Sequence, residues 1–525
     1  MSTLRTGISI AVVDAATAAV CDAAAIASGI PSRALMQRAG AAAAEELVRR
    51  LAGRIGGGVL VVTGPGNNGG DGWVVANALH AVGVRVRVVE CADARTPDAI
   101  AERESARSAG VATTSGVADL SRGGERIVVD ALLGTGFHAD APPRGAISAA
   151  ITGLRELSAR GAAIVAMDLP SGVDATTGRN AGGLRCALTI TFGTVKRGHL
   201  VARADCGDIV VVDIGLGAHA HAAAERARLA TASWFAATLP PIDAAAHKGT
   251  RKKIAIVGGA AGMAGAAILA ARAALRSGAG MVRCVVAPES LPAVQEAEPA
   301  ALGAAWPEDD ASAASIAGWA DALLLGPGLG RESARALVER MLGAFRGPVV
   351  LDADALNAFA GDVGALARLL GGREALLTPH PAEFGRLAGL SVEQVLDDRF
   401  ELPHRLAAEA RATVLLKGVP TVVATPAGNA IVVAEGTPVL ATGGSGDVLG
   451  GMAATLLAQT SDAATAGALA AFAHGRAAAA VSARQVRGYT LDDVLLALPA
   501  VWPLVPEAPR PPALAELPSV GERPA

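Results

Sequence analysis

Thr63-Gly-Pro-Gly-Asn-Asn-Gly-Gly-Asp71 directly follows the apolar run Val59–Val62 and opens a helix-like stretch. Glycine reaches positive φ and lets a backbone approach a ligand closely, and the N–H groups that open a helix attract anions. A second such turn, Thr442-Gly-Gly-Ser-Gly-Asp447, stands directly before Val448-Leu-Gly-Gly-Met452. The two turns lie in opposite halves of a 525-residue chain, too far apart for one small module. A single core stops growing at roughly 250–300 residues, so two domains that handle phosphate or nucleotide are expected.

Outward from these turns, short β-branched runs alternate with helical stretches, the pattern of βα units and parallel sheets. The first half predicts strands at Val59–Val62, Val84–Val89, Ile127–Val129, Ile164–Ala166, Leu188–Phe192 and Ile209–Val212, after a helical arm from Val12 to Arg50. The second half predicts Lys253–Val257, Val282–Val286, Ala322–Leu325, Val349–Leu351, Ala375–Leu377, Val414–Leu416, Val422–Ala424 and Ile431–Val433. Alanine-rich sequence and Pro240-Pro241 separate the halves. The expected organisation is a first domain over 1–217, a linker over 218–241, a second domain over 242–505 and a proline-rich disordered tail over 506–525.

Composition narrows the class. Hydrophobic residues make up 51% of the chain and aromatics only 3%, which suits closely packed helices and strands. A formal charge of −3 without basic blocks argues against nucleic acid. Cys21, Cys91, Cys186, Cys206 and Cys284 are scattered, odd in number and form no C-x-x-C pair, as in a reduced cytoplasmic protein. Asp14 and Asp22 interrupt the N-terminal apolar run, so no signal peptide is expected. Ile254 to Ala271 is uncharged and mimics a membrane span, but reads better as a strand, a turn at Gly258–Gly262 and a helix carrying Arg272 and Arg276.

In the first half three predicted strand ends carry polar clusters: Asn67 to Asp71, Asp130-Ala-Leu-Leu-Gly-Thr-Gly-Phe137 and Asp168-Leu-Pro-Ser-Gly-Val-Asp174. Ligands of open parallel sheets bind beyond the carboxyl ends of the strands, so all three face one crevice. Asn68, Asp130 and Ser171 offer oxygen ligands for a hard cation. Asp168 or Asp174 is placed to act as general base. The bland alternative is that Asp130 and Asp168 only cap turns. The turn lacks the G-K-[ST] of a P-loop and departs from G-x-G-x-x-G, so pattern alone specifies a polar-ligand site.

Gly64-Pro-Gly-Asn-Asn-Gly-Gly-Asp-Gly72, Asp168 to Asp174 and Lys196-Arg-Gly-His199 together resemble the NAD(P)H-hydrate epimerase family, over most of residues 10–216. The resemblance implies a Rossmann-like three-layer αβα fold, a bound potassium ion and interconversion of the R and S forms of hydrated NADH or NADPH. By the same resemblance, Asn67, Asn68, Gly69, Gly70 and Asp71, with Gly134, Thr135, Gly136, Phe137, His138, Ala139 and Asp140, hold the hydrate. Asn68, Asp130 and Ser171 hold the potassium, and Asp168 touches substrate as the base.

In the second half, the N–H groups of Thr442 to Asp447 form an anion hole, and Asp447 stands where a substrate hydroxyl would meet a transferable phosphoryl group. Gly326-Pro-Gly-Leu-Gly330, Thr378-Pro-His380 and Lys417-Gly-Val-Pro-Thr421 each follow a predicted strand. With His247-Lys-Gly249, Val257-Gly-Gly259, Gly262-Met-Ala-Gly-Ala266 and Asp352-Ala-Asp-Ala-Leu-Asn357, they resemble the NAD(P)H-hydrate dehydratases of the ribokinase-like superfamily over about residues 245–500. The resemblance implies a second αβα domain in which Ala266, Gly328, His380 and Asp447 contact the hydrate. Lys417, Gly418, Val419, Pro420, Thr421 and Gly446 would contact an adenine nucleotide. ADP as phosphoryl donor follows from likeness to bacterial fused forms alone, and magnesium would accompany it.

The two resemblances imply an α/β protein with two activities: epimerisation in the first half, and dehydration of the S-hydrate through Asp447-assisted phosphorylation and elimination in the second. The expected partners are the hydrate, the nucleotide and further copies of the chain, with no membrane. A ribokinase-type small-molecule kinase fused to a ligand-binding domain competes with this reading and would leave a stable phosphorylated product. A non-catalytic nucleotide sensor is a second competitor, against which the intact Asp168 and Asp447 stand.

Overall fold

The computed structural model describes residues 9–217, 219, 226–482, 487–503 and 509–520. Two compact units emerge, one from the described residues up to Leu229 together with 509–520, the other from 230–503.

The first unit is built on an eight-stranded sheet in the order Ala513–Leu517, Asp208–Val212, Leu188–Phe192, Ala163–Met167, Ile127–Ala131, Val59–Thr63, Val86–Glu90, Ala112–Ser115. All neighbours are parallel except the first pair. The central strands are buried along their whole length and rich in Val, Ile and Leu because helices cover both faces. Ser32–Arg50 and Asn67–Ala81 pack on one face, Gly145–Ala159 on the other. Small residues let them come close: a Cβ on Gly72 would stand 2.6 Å from the Ala131 Cβ. Chain order reverses between Val59–Thr63 and Ile127–Ala131, which opens a crevice at their carboxyl ends.

The second unit orders its strands Ala430–Val433, Thr421–Ala424, Thr413–Leu416, Ala375–Leu377, Val349–Leu351, Ala322–Leu325, Lys253–Val257, Met281–Val286, Leu302–Ala305. Thr413–Leu416 and the strands after it in this order pair in parallel, and the remaining two form an antiparallel extension. Ala264–Arg276, Ser445–Thr460 and Ala463–Val481 cover one face, while Arg331–Ala344, Val363–Leu370 and Leu402–Ala410 cover the other. The alanine content has its use here. A Cβ on Gly451 would overlap the Ala270 carbonyl, so helices 264–276 and 445–460 meet backbone to backbone.

Several expectations change. The tail expected to be disordered contains a strand, Ala513–Leu517, on the first unit's sheet edge, while 506–508 and 521–525 lie outside the described residues. Its prolines flank the pairing residues instead of interrupting them, so they cost no ladder hydrogen bond. The units divide at Leu229, within the 218–241 segment expected to link them. Of the expected linker, Ala232–Thr238 is a helix whose Phe235 is wholly buried and stacks on Phe472 at 4.8 Å. Residues 218 and 220–225 of that linker are outside the described residues. Edge strands Ala112–Ser115 and Leu302–Ala305 escape the sequence pattern because they are half exposed and carry threonine, serine and glycine. The apolar run at 254–271 divides into strand Lys253–Val257 and helix Ala264–Arg276. Among the described residues, no single helix is long and apolar enough to cross a membrane.

Candidate active sites

The crevice of the first unit is a cavity of about 710 Å³. Its floor comes from the turn after Val59–Thr63 (Pro65, Gly66, Asn67, Asn68, Asp71) and the turn after Ile127–Ala131 (Leu132 to His138). Asp168 and Lys196 enter from the next strands, and the N-terminal helices add Asp22, Leu35 and Met36. Asp168 follows Ala163–Met167 with φ +62, the left-handed region that few side chains occupy without support. The support is extensive. Lys196 Nζ lies 2.6 Å and Thr191 Oγ1 2.9 Å from Asp168 Oδ1. Burial alone would push this carboxyl up, but the Lys196 ammonium and the hydrogen bonds from Lys196 and Thr191 outweigh it and hold the group below the ordinary range.

Behind Asp168, His199 Nδ1 accepts the Lys196 N–H at 3.0 Å, so the ring carries its proton on Nε2 and donates it to the Asp168 carbonyl at 2.6 Å. Burial and the Lys196 charge press this imidazole down to about 4, which keeps it neutral. Asp71 contrasts with Asp168. Burial, then the charges of Asp168 and Asp22, push its carboxyl well up against the lowering pull of Lys196. The cavity therefore holds two carboxyls whose surroundings push them in opposite directions, Asp168 down and Asp71 up.

Beneath the two turns, the Ser171 N–H donates to Asp130 Oδ2 at 2.8 Å, and Ser171 Oγ donates to Asp130 Oδ1 at 2.6 Å. Asn68 Nδ2 donates to the Leu133 carbonyl at 2.9 Å, while Asn68 Oδ1 is buried without a partner. Asp130 is wholly buried, and burial raises it to about 6 despite the Ser171 hydrogen bonds. The orphaned buried amide oxygen of Asn68 is the donor that fits a monovalent cation, while both Asp130 oxygens already accept hydrogen bonds.

The sequence-expected residues are only partly gathered. Asn67, Asn68, Asp71, Gly134, Thr135, Gly136, Phe137, His138 and Asp168 line the cavity. Gly69 and Gly70 instead serve packing: a Cβ on Gly69 would overlap the Gly64 carbonyl, and one on Gly70 would stand 2.5 Å from the Met36 sulfur. Asp140 points to solvent and pairs with Arg179 at 2.9 Å, and the Ala139 N–H donates to Asp174 at 3.1 Å. Asp174, the other base candidate, spends its carboxylate on the N–H groups of Ala139, Thr176 and Thr177. Asp22 and Lys196 were not singled out by sequence as site residues. Lys196 stands in the Lys196-Arg-Gly-His199 motif, but nothing in the spacing says its ammonium is aimed at Asp168.

In the second unit, the turns after the parallel strands interlock through glycine. A Cβ on Gly258 would overlap the Pro327 carbonyl, and one on Gly328 (φ +56) would stand 3.0 Å from both Ala266 Cβ and Met263 Cβ. Gly326 has φ +125, and a Cβ there would collide with the Asp352 carbonyl. Gly326→Ala is expected to cost roughly 3 kcal/mol through backbone strain and overlap, read as a lower urea midpoint for the second unit.

Asp447 lies in the first turn of Ser445–Thr460, whose N-cap Gly444 is left-handed at φ +91. Beneath that turn, Lys417 Nζ lies 2.7 Å from Asp352 Oδ1 and 3.7 Å from Glu383 Oε2. A Cβ on Gly446 would stand 3.2 Å from the Lys417 ammonium. Burial would lower Lys417, but Asp352 and Glu383 raise it above the ordinary lysine range. Burial and Asp352 push Asp447 up to about 7 against the pull of Lys417. His380 Nδ1 accepts the N–H groups of Ala382 and Glu383 as a helix cap, and its Nε2 lies 3.4 Å from Glu383 Oε1. Thr421 Oγ1 donates to the Gly418 carbonyl at 2.7 Å, closing the Gly418-Val419-Pro420-Thr421 turn. Asp352 and Glu383 are the partners whose roles sequence reasoning missed, because only the fold brings them to Lys417.

Two family profiles cover the chain: NAD(P)H-hydrate dehydratase over residues 254–500 and YjeF-related protein N-terminus over 32–198. The bifunctional NAD(P)H-hydrate repair enzyme of Moorella thermoacetica is 37% identical over 499 residues, covering 90% of this chain and 92% of that protein. The enzyme of the same name from Escherichia coli is 34% identical over 459 residues, covering 84% of each. Among solved structures, the ADP/ATP-dependent NAD(P)H-hydrate dehydratase of Bacillus subtilis co-crystallised with ATP/Mg2+ aligns at 31% identity with a TM-score of 0.46, covering 52% of this chain and 96% of that one.

Proposed function

The chain belongs to the bifunctional NAD(P)H-hydrate repair enzymes, an epimerase unit joined to a dehydratase unit, and we propose that Asp168 and Asp447 are the bases of the two reactions. The observation that carries the second assignment is the Asp447 carboxylate in the first turn of Ser445–Thr460, over the Lys417–Asp352 pair. Asp447 takes the proton of the ring hydroxyl as its oxygen attacks the terminal phosphorus of the nucleotide, and the bridging oxygen leaves with the shortened nucleotide. Carbon–oxygen cleavage then expels phosphate, helped by the ring nitrogen, and loss of a proton from the neighbouring carbon restores the double bond. Hydroxide is a poor leaving group and phosphate a good one, so the anhydride supplies what the ring lacks. Ala266, Gly328 and His380 border the hydrate in this reading, with Lys417 to Thr421 and Gly446 beside the nucleotide. Magnesium would neutralise the nucleotide's phosphates. Among the described residues no group of three or more His, Cys, Asp or Glu is arranged to hold a metal, so the nucleotide's own phosphates would be its principal ligands.

In the first unit, epimerisation proceeds by reversible ring opening. Asp168 takes the hydroxyl proton as the carbonyl forms, the carbon–nitrogen bond breaks with its electrons going to nitrogen, and Asp71 donates a proton there. Rotation and closure with the proton transfers reversed give the other epimer, with no net consumption. Asn68, Asp130 and Ser171 would hold potassium, whose charge steadies the Leu132–Gly136 turn. ADP as donor, a homo-oligomeric assembly and a cytoplasmic location complete the reading.

The test is absorbance at the nicotinamide band. Either hydrate epimer mixed with enzyme and ADP or ATP is expected to regain NAD(P)H absorbance without leaving phosphorylated hydrate. A stable phosphorylated product with no regained absorbance would favour a ribokinase-type kinase instead.

A further inference from the structure

The first unit is closed by a segment that follows the second unit in sequence. Ala513–Leu517 runs antiparallel to Asp208–Val212, with Ala513, Ala515 and Leu517 each only 5% exposed. Ala513 packs in the same apolar cluster as Ile214 and Leu216. Polar ties hold both ends. The Asp213 N–H donates to the Pro512 carbonyl at 2.8 Å, the Ser519 N–H donates to Asp208 Oδ1 at 2.7 Å, and the Arg203 guanidinium donates to the Pro518 carbonyl. Glu516 Oε1 lies 2.5 Å from Arg50 Nη2 and 3.5 Å from Arg49 Nη2.

Asp208–Val212 leads directly into Ile214 and Leu216, which line the cavity, and Arg38 Nη1 donates to the Ile214 carbonyl at 3.3 Å. Without its neighbour this strand would present an unpaired edge, and the Asp213 N–H would lose its acceptor. The wall formed by Ile214 and Leu216 would then be fixed from one side only.

We infer that residues 509–520 are a cis-acting part of the epimerase site: an edge strand that fixes the Asp208–Leu216 wall of the hydrate cavity. The first activity thus depends on residues that follow the second unit. The inference rests on the assignment of that cavity to epimerisation. The strand acts by positioning, so its loss weakens capture of the R-hydrate before it alters proton transfer at Asp168.

The test compares the full chain, a chain ending after Pro503, and full-length Ala515→Asp. Turnover of the S-hydrate in the second unit serves as the folding control. In both altered chains KM for the R-hydrate is expected to rise about tenfold or more, since ångström-scale misplacement of a binding wall costs this much. Amide exchange across 208–216 should quicken in both. A synthetic peptide of residues 509–520 should restore KM in the truncated chain. Should truncation prevent folding, Ala515→Asp decides alone. Wild-type KM together with wild-type exchange across 208–216 overturns the inference. Asp168→Asn, assayed in parallel, separates the two failures: if it retains R-hydrate repair, the cavity assignment is what fails.

Discussion

Asp447→Asn is expected to abolish dehydration of the S-hydrate while nucleotide binding largely survives. Removing a positioned base costs about 10²–10⁴ in rate. Asn keeps the shape and one oxygen, so the turn opened by Gly444 and Ser445 stays intact. The proposed phosphate contacts are backbone N–H groups of the Thr442–Asp447 turn, which the substitution does not touch. Burial and Asp352 raise the Asp447 carboxyl to about 7, so in the wild type the ionised fraction grows, and kcat/KM with it, as pH rises through neutrality. That limb should vanish in the variant. Stability moves oppositely. Between the ordinary value of 3.8 and about 7 the folded state binds this proton more tightly than the unfolded chain, so stability falls as pH rises through that window. Asp447→Asn should therefore melt higher than wild type at pH 8, and a lower melting temperature there together with unchanged turnover would remove Asp447 from its assigned role.

That opposition explains an oddity of the site. Asp352 and Glu383 both lie within ion-pair distance of Lys417, whose charge also pulls Asp447 down. Burial and the neighbouring carboxylates outweigh the Lys417 ammonium and hold Asp447 at about 7, the range the proposed base needs near neutral pH. The arrangement lowers stability and serves chemistry.

The glycine turns were readable because their physics is local. Val59–Val62 and Ala322–Leu325 are wholly apolar and fully buried, and Gly326 and Gly328 follow the second with φ values only glycine adopts freely. The order of such units dictates a parallel sheet and places Asn68, Asp130 and Asp168 at one end of it. What was illegible is non-local. Phe235 looks like one aromatic in a run of alanines until Phe472 meets it. Ala513–Leu517 has no β-branched residue to announce a strand, and only the waiting edge of Asp208–Val212 makes it one. Lys196 lies 28 residues from Asp168, and strand pairing, not spacing, joins them. Asp140 shows the opposite case: its turn lines the cavity at His138 and again at Ala141, while the Asp140 side chain between them faces solvent and pairs with Arg179.

Asp168→Asn should leave S-hydrate repair intact and stop enzymatic repair of the R-hydrate. Asn is the informative choice because position 168 has φ +62, a conformation that Asn tolerates better than Ala. Two effects must be separated. The first is chemical: the neutral amide cannot take the hydroxyl proton, and loss of about 10²–10⁴ in kcat follows. The second is structural. Lys196 is 3% exposed, and the substitution removes the carboxylate its ammonium touches, the kind of break that typically costs about 3–5 kcal/mol. Because the Asp168 carboxyl is held below its ordinary value, its contribution to stability is present above 3.8 and lost as pH falls through the folded-state pKa. The wild type should therefore lose first-unit stability in acid, and the Asn variant should start from that lowered level at neutral pH. Lys196→Met in the same chain removes the stranded charge and should recover much of the melting temperature. If R-hydrate repair stays absent while stability returns, the loss is chemical. If repair returns with stability, Asp168 is a structural partner of Lys196, and the base must be sought among Asp22 and Asp71, the cavity's remaining carboxyls at that end.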